Sequence, residues 1–402
     1  MQALYAIFLL FQAYISFQLI LPLILIVLSA FRKLKILPAQ DFSRGGSETD
    51  FAVIITAYKE ADIVVPLVDS LIKQKYTKYT VYVVADECDT SKFNFENDNI
   101  KVLKPDGKIG SKFKSILYAI ENFTHEHEAL VIFDADNLVH PEFLRVMNRY
   151  FKAGYKAIQG IRLPKNLDTD NARLDAAGDM FYNYYDRRLC FKAGSSSALA
   201  GSGMGFDLNL YGKLLKNKII VGGFDKVLQA EIVMMGYRIA FAPAAVVYDE
   251  KVSKGAQVVK QRTRWLNSWF KYFLKGFVIL GTGFVKFDIN RVLFGIMLIR
   301  PPLFIFTGFS VFFLIVNVFI SPLITLYWSI LLILFALSFL FSMKQEKADS
   351  EIWKSMIKMP VFVFYLFLSL ARIRRANKKF LETEHTKLLY IEDITGKERN
   401  SG

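Results

Sequence analysis

Two aspartates, Asp134 and Asp136, close the apolar run Ala129-Leu130-Val131-Ile132-Phe133. The run reads as a buried β-strand, and side chains two apart on a strand point the same way. Both carboxylates are therefore expected to share one divalent cation. Hard cations such as Mg2+ or Mn2+ take carboxylate oxygens and leave positions open for substrate phosphates. An isolated Asp-x-Asp occurs by chance in many chains, so the reading gains weight only from its surroundings.

The elements that must carry the pair lie between residue 51 and about residue 250. Phe51–Tyr58, Thr80–Asp86, Asn99–Leu103 and Lys156–Leu163 read as further strands, and helices are expected over Glu60–Lys73, Ser111–Asn122 and Pro141–Ala153. Near-continuous apolar strands separated by helices predict an α/β domain with a mostly parallel sheet. Ligands of such sheets bind beyond the carboxyl ends of the strands. Glu60, just past the first strand, and Asp86, at the end of the second, fall there beside Asp134 and Asp136. Gly201-Ser202-Gly203-Met204-Gly205-Phe206 lacks the Gly-Lys-Ser that would make it a phosphate loop. His125 and His127 read as solvated loop residues, and His140 as a loop residue rather than a metal ligand. The aromatic stretch at 181–191 reads as core or membrane-facing surface, and Arg187 and Arg188 receive no role.

The chain has 402 residues, and its apolar fraction of 53% exceeds the usual ~45–50%. The excess sits at the two ends. Residues 1–31 carry no charge, enough for one span with residues to spare. A cleaved signal peptide is disfavoured, because the run is too long and no basic region precedes it. Arg32, Lys33 and Lys35 follow, which by the positive-inside tendency puts the next domain in the cytoplasm. The expected order is a transmembrane helix (1–31), a linker (32–50) containing Gly45-Gly46, the α/β domain (51–250), amphipathic interfacial helices (251–290), and two transmembrane helices (291–343). A membrane segment (344–380) and a cytoplasmic tail (381–402) complete it. The run Met359–Leu370, with basic residues on both sides, predicts a re-entrant or interfacial helix; a crossing helix from Ile352 to Ile373 is the alternative. The formal charge of +14 is ascribed to basic residues flanking the membrane, with no nucleic-acid motif to suggest another partner. Cys88 and Cys190 have no metal-ligand spacing, and a disulfide is not expected in a reducing compartment.

Between Lys251 and Lys275 there are seven Lys or Arg and no acidic residue. Leu266, Trp269, Phe270, Phe273 and Phe277 recur at helical spacing opposite Lys260, Arg264, Asn267, Lys271 and Lys275. Such a helix anchors at a membrane surface. Its arginines can also neutralise a diphosphate, and Trp265 can wall a sugar.

In order, these motifs resemble the inverting family 2 glycosyltransferases of GT-A fold. The likeness is to the membrane-integrated branch, with cellulose, chitin, hyaluronan and poly-N-acetylglucosamine synthases and the nearby ceramide glucosyltransferases. It covers roughly residues 50–270. Thr56-Ala57-Tyr58-Lys59-Glu60 is similar to the family's nucleotide-binding loop, and Asp86 to its first aspartate. Lys104-Pro105-Asp106-Gly107-Lys108 is similar to its Gly-Lys loop, Asp134-Ala135-Asp136 to its metal motif, and Gln261-Arg262-Thr263-Arg264-Trp265 to its Gln-x-x-Arg-Trp motif.

The resemblance implies a GT-A-type nucleotide-diphospho-sugar transferase domain with transmembrane and interfacial helices at both ends. It implies a UDP-sugar held by Tyr58, Glu60, Asp86, Lys108 and Asp134, and Mg2+ or Mn2+ on Asp134 and Asp136. Gln261, Arg262, Arg264 and Trp265 would serve the diphosphate and acceptor. It assigns Asp225 as base, 36 residues before Gln261, with Glu231 competing. Phe224 stands where the family carries Glu. A lipid or polysaccharide acceptor and a bacterial plasma membrane are implied, with the domain on the cytoplasmic side. A single-sugar transferase to a polyprenyl phosphate or ceramide-like lipid is the close alternative, and a non-catalytic nucleotide-binding scaffold a further one. A homo-oligomer or translocation partner would have to supply helices for a polymer channel.

Overall fold

The computed structural model describes residues 2–32, 36–37, 47–215, 223–372 and 387–400. The Gly45-Gly46 linker, Gly222 and the basic residues Arg374, Arg375, Lys378 and Lys379 lie outside them. The centre is an eight-stranded sheet of β1 (Phe51–Tyr58), β2 (Tyr79–Asp86), β3 (Ile100–Leu103), β4 (Ala129–Asp134), β5 (Leu138–Val139), β6 (Ala157–Pro164), β7 (Met204–Asp207) and β8 (Ile239–Asp249). Their spatial order is β3-β2-β1-β4-β7-β6-β8-β5.

Alternation along each strand separates two cores. Phe51, Val53, Ile55, Val81, Val83, Val131 and Phe133 join Leu67 and Leu71 of α2 (Val64–Ile72) and Phe143 and Met147 of α4 (Phe143–Lys152). Ala52, Ile54, Tyr82, Val84, Leu130 and Ile132 join Ile116 of α3 (Lys112–Glu121), Tyr211 of α7 (Leu208–Leu215) and Leu228 of α8 (Phe224–Met234). Burial on both faces is why these strands read as unbroken apolar runs.

β1 lies between β2 and β4, parallel to both, with Tyr58 opposite Asp86 and Thr56 opposite Asp134. Simple parallel register thus brings three residues from distant parts of the chain to one rim. The sheet is more mixed than expected: β7 runs antiparallel to both β4 and β6, and β5 antiparallel to β8. The four residues Met204-Gly205-Phe206-Asp207 carry too short a pattern to announce a strand. β6 and β8 are parallel with a bulge at Gly160/Ile161. Gly160 is required there, since a Cβ would stand 2.6 Å from the Ala245 carbonyl oxygen.

Between β6 and β7 the chain makes an excursion through α5 (Asp170–Phe181), a π-helical segment (Tyr182–Leu189) and α6 (Cys190–Lys192). After β8 come α9 (Gly255–Tyr272), α10 (Leu274–Val285), α11 (Ile289–Ile299), α12 (Leu303–Val318), α13 (Pro322–Gln345), α14 (Ser350–Ser355), α15 (Met359–Ala371) and α16 (Ile391–Asn400). Among the described residues, three helical units are long and apolar enough to cross a membrane: the greater part of α1 (Gln2–Arg32), α13, and Ser350–Ala371. The last, of 22 residues, has the length required by the crossing alternative for the third apolar run. α11 and α12 meet at a 72° bend at Pro301-Pro302, where proline removes the amide donors a continuous helix needs. α1 packs on α12 and α13, where Gln12 Oε1 accepts from Asn317 Nδ2 at 2.9 Å and Trp328 Nε1 at 3.0 Å. Polar links of this kind hold helices together where the surroundings are apolar.

Candidate active site

β4 stops at Asp134 because the chain turns there. Asn137 N–H donates to the Asp134 carbonyl at 3.2 Å, and Asn137 Oδ1 accepts from Asp134 N at 3.0 Å. Asp136 therefore lies in the turn, which corrects the expectation of two side chains on one strand face. The two carboxylates still share a corner. Asp136 is nearly buried, its Oδ1 accepting from Asn137 Nδ2 at 3.3 Å and its Oδ2 from Glu250 N at 3.4 Å. The Asp134 side chain is 42% exposed and pairs with Lys112 in the first turn of α3. Both carboxylates lie in the field of buried Arg162. Two carboxylates beside a neutral amide form a hard oxygen donor set, the kind that suits Mg2+ or Mn2+.

The sequence reading missed Lys112, which follows the Gly-Lys loop and opens α3. Besides Asp134 it donates to the Gly201 carbonyl at 2.8 Å, and its ammonium lies 5.4 Å from the Phe224 ring centre. The ring thus offers a cation–π partner where the family carries an acid. The glycine-rich segment at 201–203 flanks the Asp134 corner through this contact and through Ser202, whose hydroxyl bonds Asn137 Oδ1.

One wall is built by the ends of β1 and β2. Asp86 is buried, and its two oxygens accept from Ile109 N at 3.0 Å and Gly110 N at 2.7 Å. It thereby folds the Gly-Lys loop back onto the sheet. Lys108 donates to the Tyr58 hydroxyl at 2.7 Å and lies 3.4 Å from Glu87. Glu60 sits in the tight turn after β1, its N–H donating to the Tyr58 carbonyl at 2.8 Å. Cys88 and Cys190 are both free and buried; burial pushes the Cys88 thiol up to about 11.

The facing wall comes from α8 and α9. α8 starts at Gly223, which has φ +63°, and a Cβ there would lie 2.8 Å from Ser268 Oγ. Ser268 Oγ in turn donates to the Arg264 carbonyl at 3.1 Å. The start of α8, with half-buried Asp225 in its first turn, therefore sits one turn along α9 from Arg264. Burial lowers the Arg264 pKa and the Asp134 carboxylate opposes that shift, so the guanidinium lies within electrostatic range of Asp134. Contacts thus link Asp134 to Lys112 and Lys112 to the Phe224 ring, with Asp225 adjoining Phe224 and Arg264 in electrostatic range of Asp134. Glu231 is committed elsewhere, paired with Lys275 at 2.9 Å. Gln261 is half-buried on α9, and Trp265 remains 38% exposed. Arg262 requires a correction. Its guanidinium pairs with buried Asp175 of α5 and stacks 4.0 Å from the Trp265 ring centre. An arginine that neutralises a buried carboxylate holds the tryptophan in place rather than reaching a diphosphate.

Under the corner lies a buried charge cluster that the sequence reading also missed. Arg162 pairs with Asp249, lies 3.7 Å from Asp179, and donates to the Ala200 carbonyl at 2.6 Å. Lys251, 1% exposed, pairs with Asp179 and lies 3.0 Å from Asp249. Burial would raise the Asp179 pKa, but Lys251 and Arg162 hold it well below the usual carboxylate range. Burial would lower the Lys251 pKa, and Asp179 and Asp249 raise it instead. The signal was an arginine inside the apolar strand Ala157–Leu163, with Lys251 just after β8.

At the opposite rim the structure corrects a third reading. His127 is buried rather than solvated, because Tyr82 reaches down from β2 to cover it. Among the described residues, Asp50, His125 and His127 place their ligand atoms within 4.8 Å of one another, as a metal site would. They lie at the amino ends of β1 and β4. Six residues of strand, at ~3.3 Å each, put about 20 Å between them and Asp134.

Residues 49–268, more than half of the chain, match the family described as Glycosyltransferase like family 2. No curated protein matches by sequence. Among solved structures, the mannosyltransferase PcManGT from Pyrobaculum calidifontis, in complex with GDP-Man and Mn2+, superposes with a TM-score of 0.59 at 17% identity. The match covers 91% of this chain and 99% of that one. S. aureus TarS matches more weakly, with a TM-score of 0.39 and 17% identity over 57% of this chain and 40% of its own. The chain belongs to glycosyltransferase family 2, with a GT-A-like fold joined to apolar helices at both ends.

Proposed function

We propose that the chain is an inverting, metal-dependent glycosyltransferase that moves a sugar from a UDP-sugar to a lipid or polysaccharide acceptor and forms a β-linkage. The observation that carries this reading is the run of contacts from Asp134 through Lys112 to Phe224, with Arg264 in electrostatic range of Asp134, which supports carboxylates, cations and the start of α8 acting at one corner. Tyr58, Glu60 and the loop fixed by Asp86 receive the nucleoside. Asp134 and Asp136 are the residues that would hold Mg2+ or Mn2+, which when bound supplies Lewis-acid charge to the diphosphate. Arg264 stabilises negative charge as it builds on the departing nucleotide, and Lys112 is placed to help once it is drawn from Asp134. Asp225 accepts the proton of the attacking acceptor hydroxyl. Trp265, held by Arg262, offers an exposed ring against which a sugar can lie.

Single transfer to a lipid is the second reading. It is favoured by the three helical units among the described residues that are long enough to cross a membrane, up to four if the bent pair counts as one, which is few for a private polymer channel. The Pyrobaculum mannosyltransferase holds GDP-Man, so guanosine donors belong in the test beside uridine donors. The test is a screen of nucleotide sugars for donor consumption by purified protein with membrane lipids and Mg2+ or Mn2+. A ladder of products supports polymerisation; one shifted lipid species supports single transfer. No nucleotide release with any donor would leave only the scaffold reading.

A further inference from the structure

The lower rim carries a feature that the glycosyl-transfer reading does not use. Asp50 immediately precedes β1, and its backbone is locked to the entry of β4. Glu128 N and Ala129 N donate to the Asp50 carbonyl at 3.0 and 3.1 Å, and Asp50 N donates to Glu128 Oε2 at 2.8 Å. His127 Nδ1 donates to Asp50 Oδ1 at 2.5 Å, and His125 Nε2 lies 3.4 Å from Asp50 Oδ2. The His125 side chain is 46% exposed, that of Asp50 16%, and that of His127 fully buried. Two ligands are therefore fixed by the fold, and the third stands at the surface.

We infer that Asp50, His125 and His127 form a second divalent-metal site, selective for a borderline ion such as Zn2+ and separate from the Asp134–Asp136 corner. Two imidazoles and one carboxylate are a donor set for zinc rather than for magnesium. Tetrahedral ligands ~2.0–2.1 Å from zinc stand roughly 3.3 Å apart. The His125–Asp50 separation already meets this, and the His127–Asp50 pair has to open by about 1 Å to admit the ion. A ligating histidine usually directs its second ring nitrogen to a hydrogen-bond partner. His127 Nε2 lies 2.9 Å from the Tyr82 hydroxyl. That hydroxyl accepts from Thr124 N at 3.0 Å and has Thr124 Oγ1 at 2.9 Å.

This arrangement accommodates the tautomer change that binding requires. Without metal, His127 carries its proton on Nδ1 and Tyr82 donates to Nε2. With metal on Nδ1, the proton resides on Nε2 and is donated to the Tyr82 oxygen, while the Tyr82 hydroxyl turns to Thr124 Oγ1. The ring stays neutral and no proton is gained or lost. Glu128, at the Asp50 amide, adds negative charge nearby. A metal here would tie the loop Thr124–Glu128 to the start of β1, far from the reacting groups.

The test is calorimetric titration of chelator-stripped, full-length protein in detergent with Zn2+, in the presence of excess Mg2+. The wild type is expected to bind one Zn2+ saturably. His125→Ala, at an exposed position that leaves the metal-free melting temperature unchanged, is expected to weaken binding by at least ~10-fold, since even a lost outer partner costs 10–100-fold. An Asp134→Asn/Asp136→Asn variant is expected to bind Zn2+ as the wild type does. Co2+ should give intense tetrahedral visible bands that His125→Ala abolishes. No saturable Zn2+ binding, equal affinity in His125→Ala, or loss of binding in the Asp134/Asp136 variant would each overturn the inference.

Discussion

The same three central strands end in two rims of different electrostatic character. At the carboxyl rim, Asp134 faces Lys112, Arg264 and the field of Arg162, so its carboxylate sits among cations. At the amino rim, Asp50 faces two imidazoles and sits beside Glu128. An aspartate flanking a buried strand is common to both; what differs is the charge brought by neighbouring elements. The carboxyl rim draws on β1, β2, β4, α3, α8 and α9, which is the basis for proposing that it binds a divalent cation and a polyanion together. Among the described residues no lysine or arginine pairs with Asp50, so the amino rim is proposed to take a cation alone.

The comparison breaks most sharply at Asp225. Asp225→Asn should lower turnover by about 10²–10⁴-fold, the usual contribution of a general base, while nucleotide binding measured by calorimetry stays near wild type. Retention of most activity would remove Asp225 from the mechanism. Arg264→Ala should cost about 10²–10³-fold in kcat, as loss of one preorganised charge-stabilising group does. An effect confined to protein stability would make Arg264 structural.

A third change probes the support beneath the carboxyl rim. Lys251→Met leaves Asp179 and Asp249 with one cation fewer, and breaking a buried pair this way costs about 3–5 kcal/mol. Chemical denaturation in detergent measures it. The pH dependence follows from the shifts. Asp179, with a depressed folded pKa, contributes stability above its unfolded value of about 3.9, lost as pH falls through the folded one. Lys251, with a raised folded pKa, contributes stability in full below about 10.4, lost as pH rises through its folded value. Wild-type stability from this cluster should therefore hold constant between pH 5 and 9, and Lys251→Met should lack the alkaline loss. The smallest effect is expected at Asp86→Asn, where one of two charge-assisted bonds to the Gly-Lys loop is lost at about 1.5–3 kcal/mol. Donor KM should rise there with kcat little changed.

Much of this was legible in the sequence. Phe51–Tyr58, Tyr79–Asp86 and Ala129–Asp134 are buried on both faces, so their apolar runs announced strands and their parallel register carried Tyr58, Asp86 and Asp134 to one rim. Beyond Lys112 and the buried Arg162–Lys251 cluster, three further features were not legible. The Asp136 turn depends on Asn137 bonding back to Asp134, which spacing alone does not reveal. Arg262 looked equivalent to Arg264 until Asp175, 87 residues away, claimed it. His127 looked like a loop residue because the side chain that buries it, Tyr82, comes from another strand. The misses at Arg262 and His127 are long-range pairings of polar groups, for which local pattern carries no signal.

The most direct test is calorimetric titration of the full-length protein with UDP and, separately, GDP, with and without Mn2+, in wild type and in Asp134→Asn/Asp136→Asn. The account predicts that Mn2+ strengthens binding of one nucleotide in the wild type and has no effect in the variant. Equal metal enhancement in both proteins would contradict it.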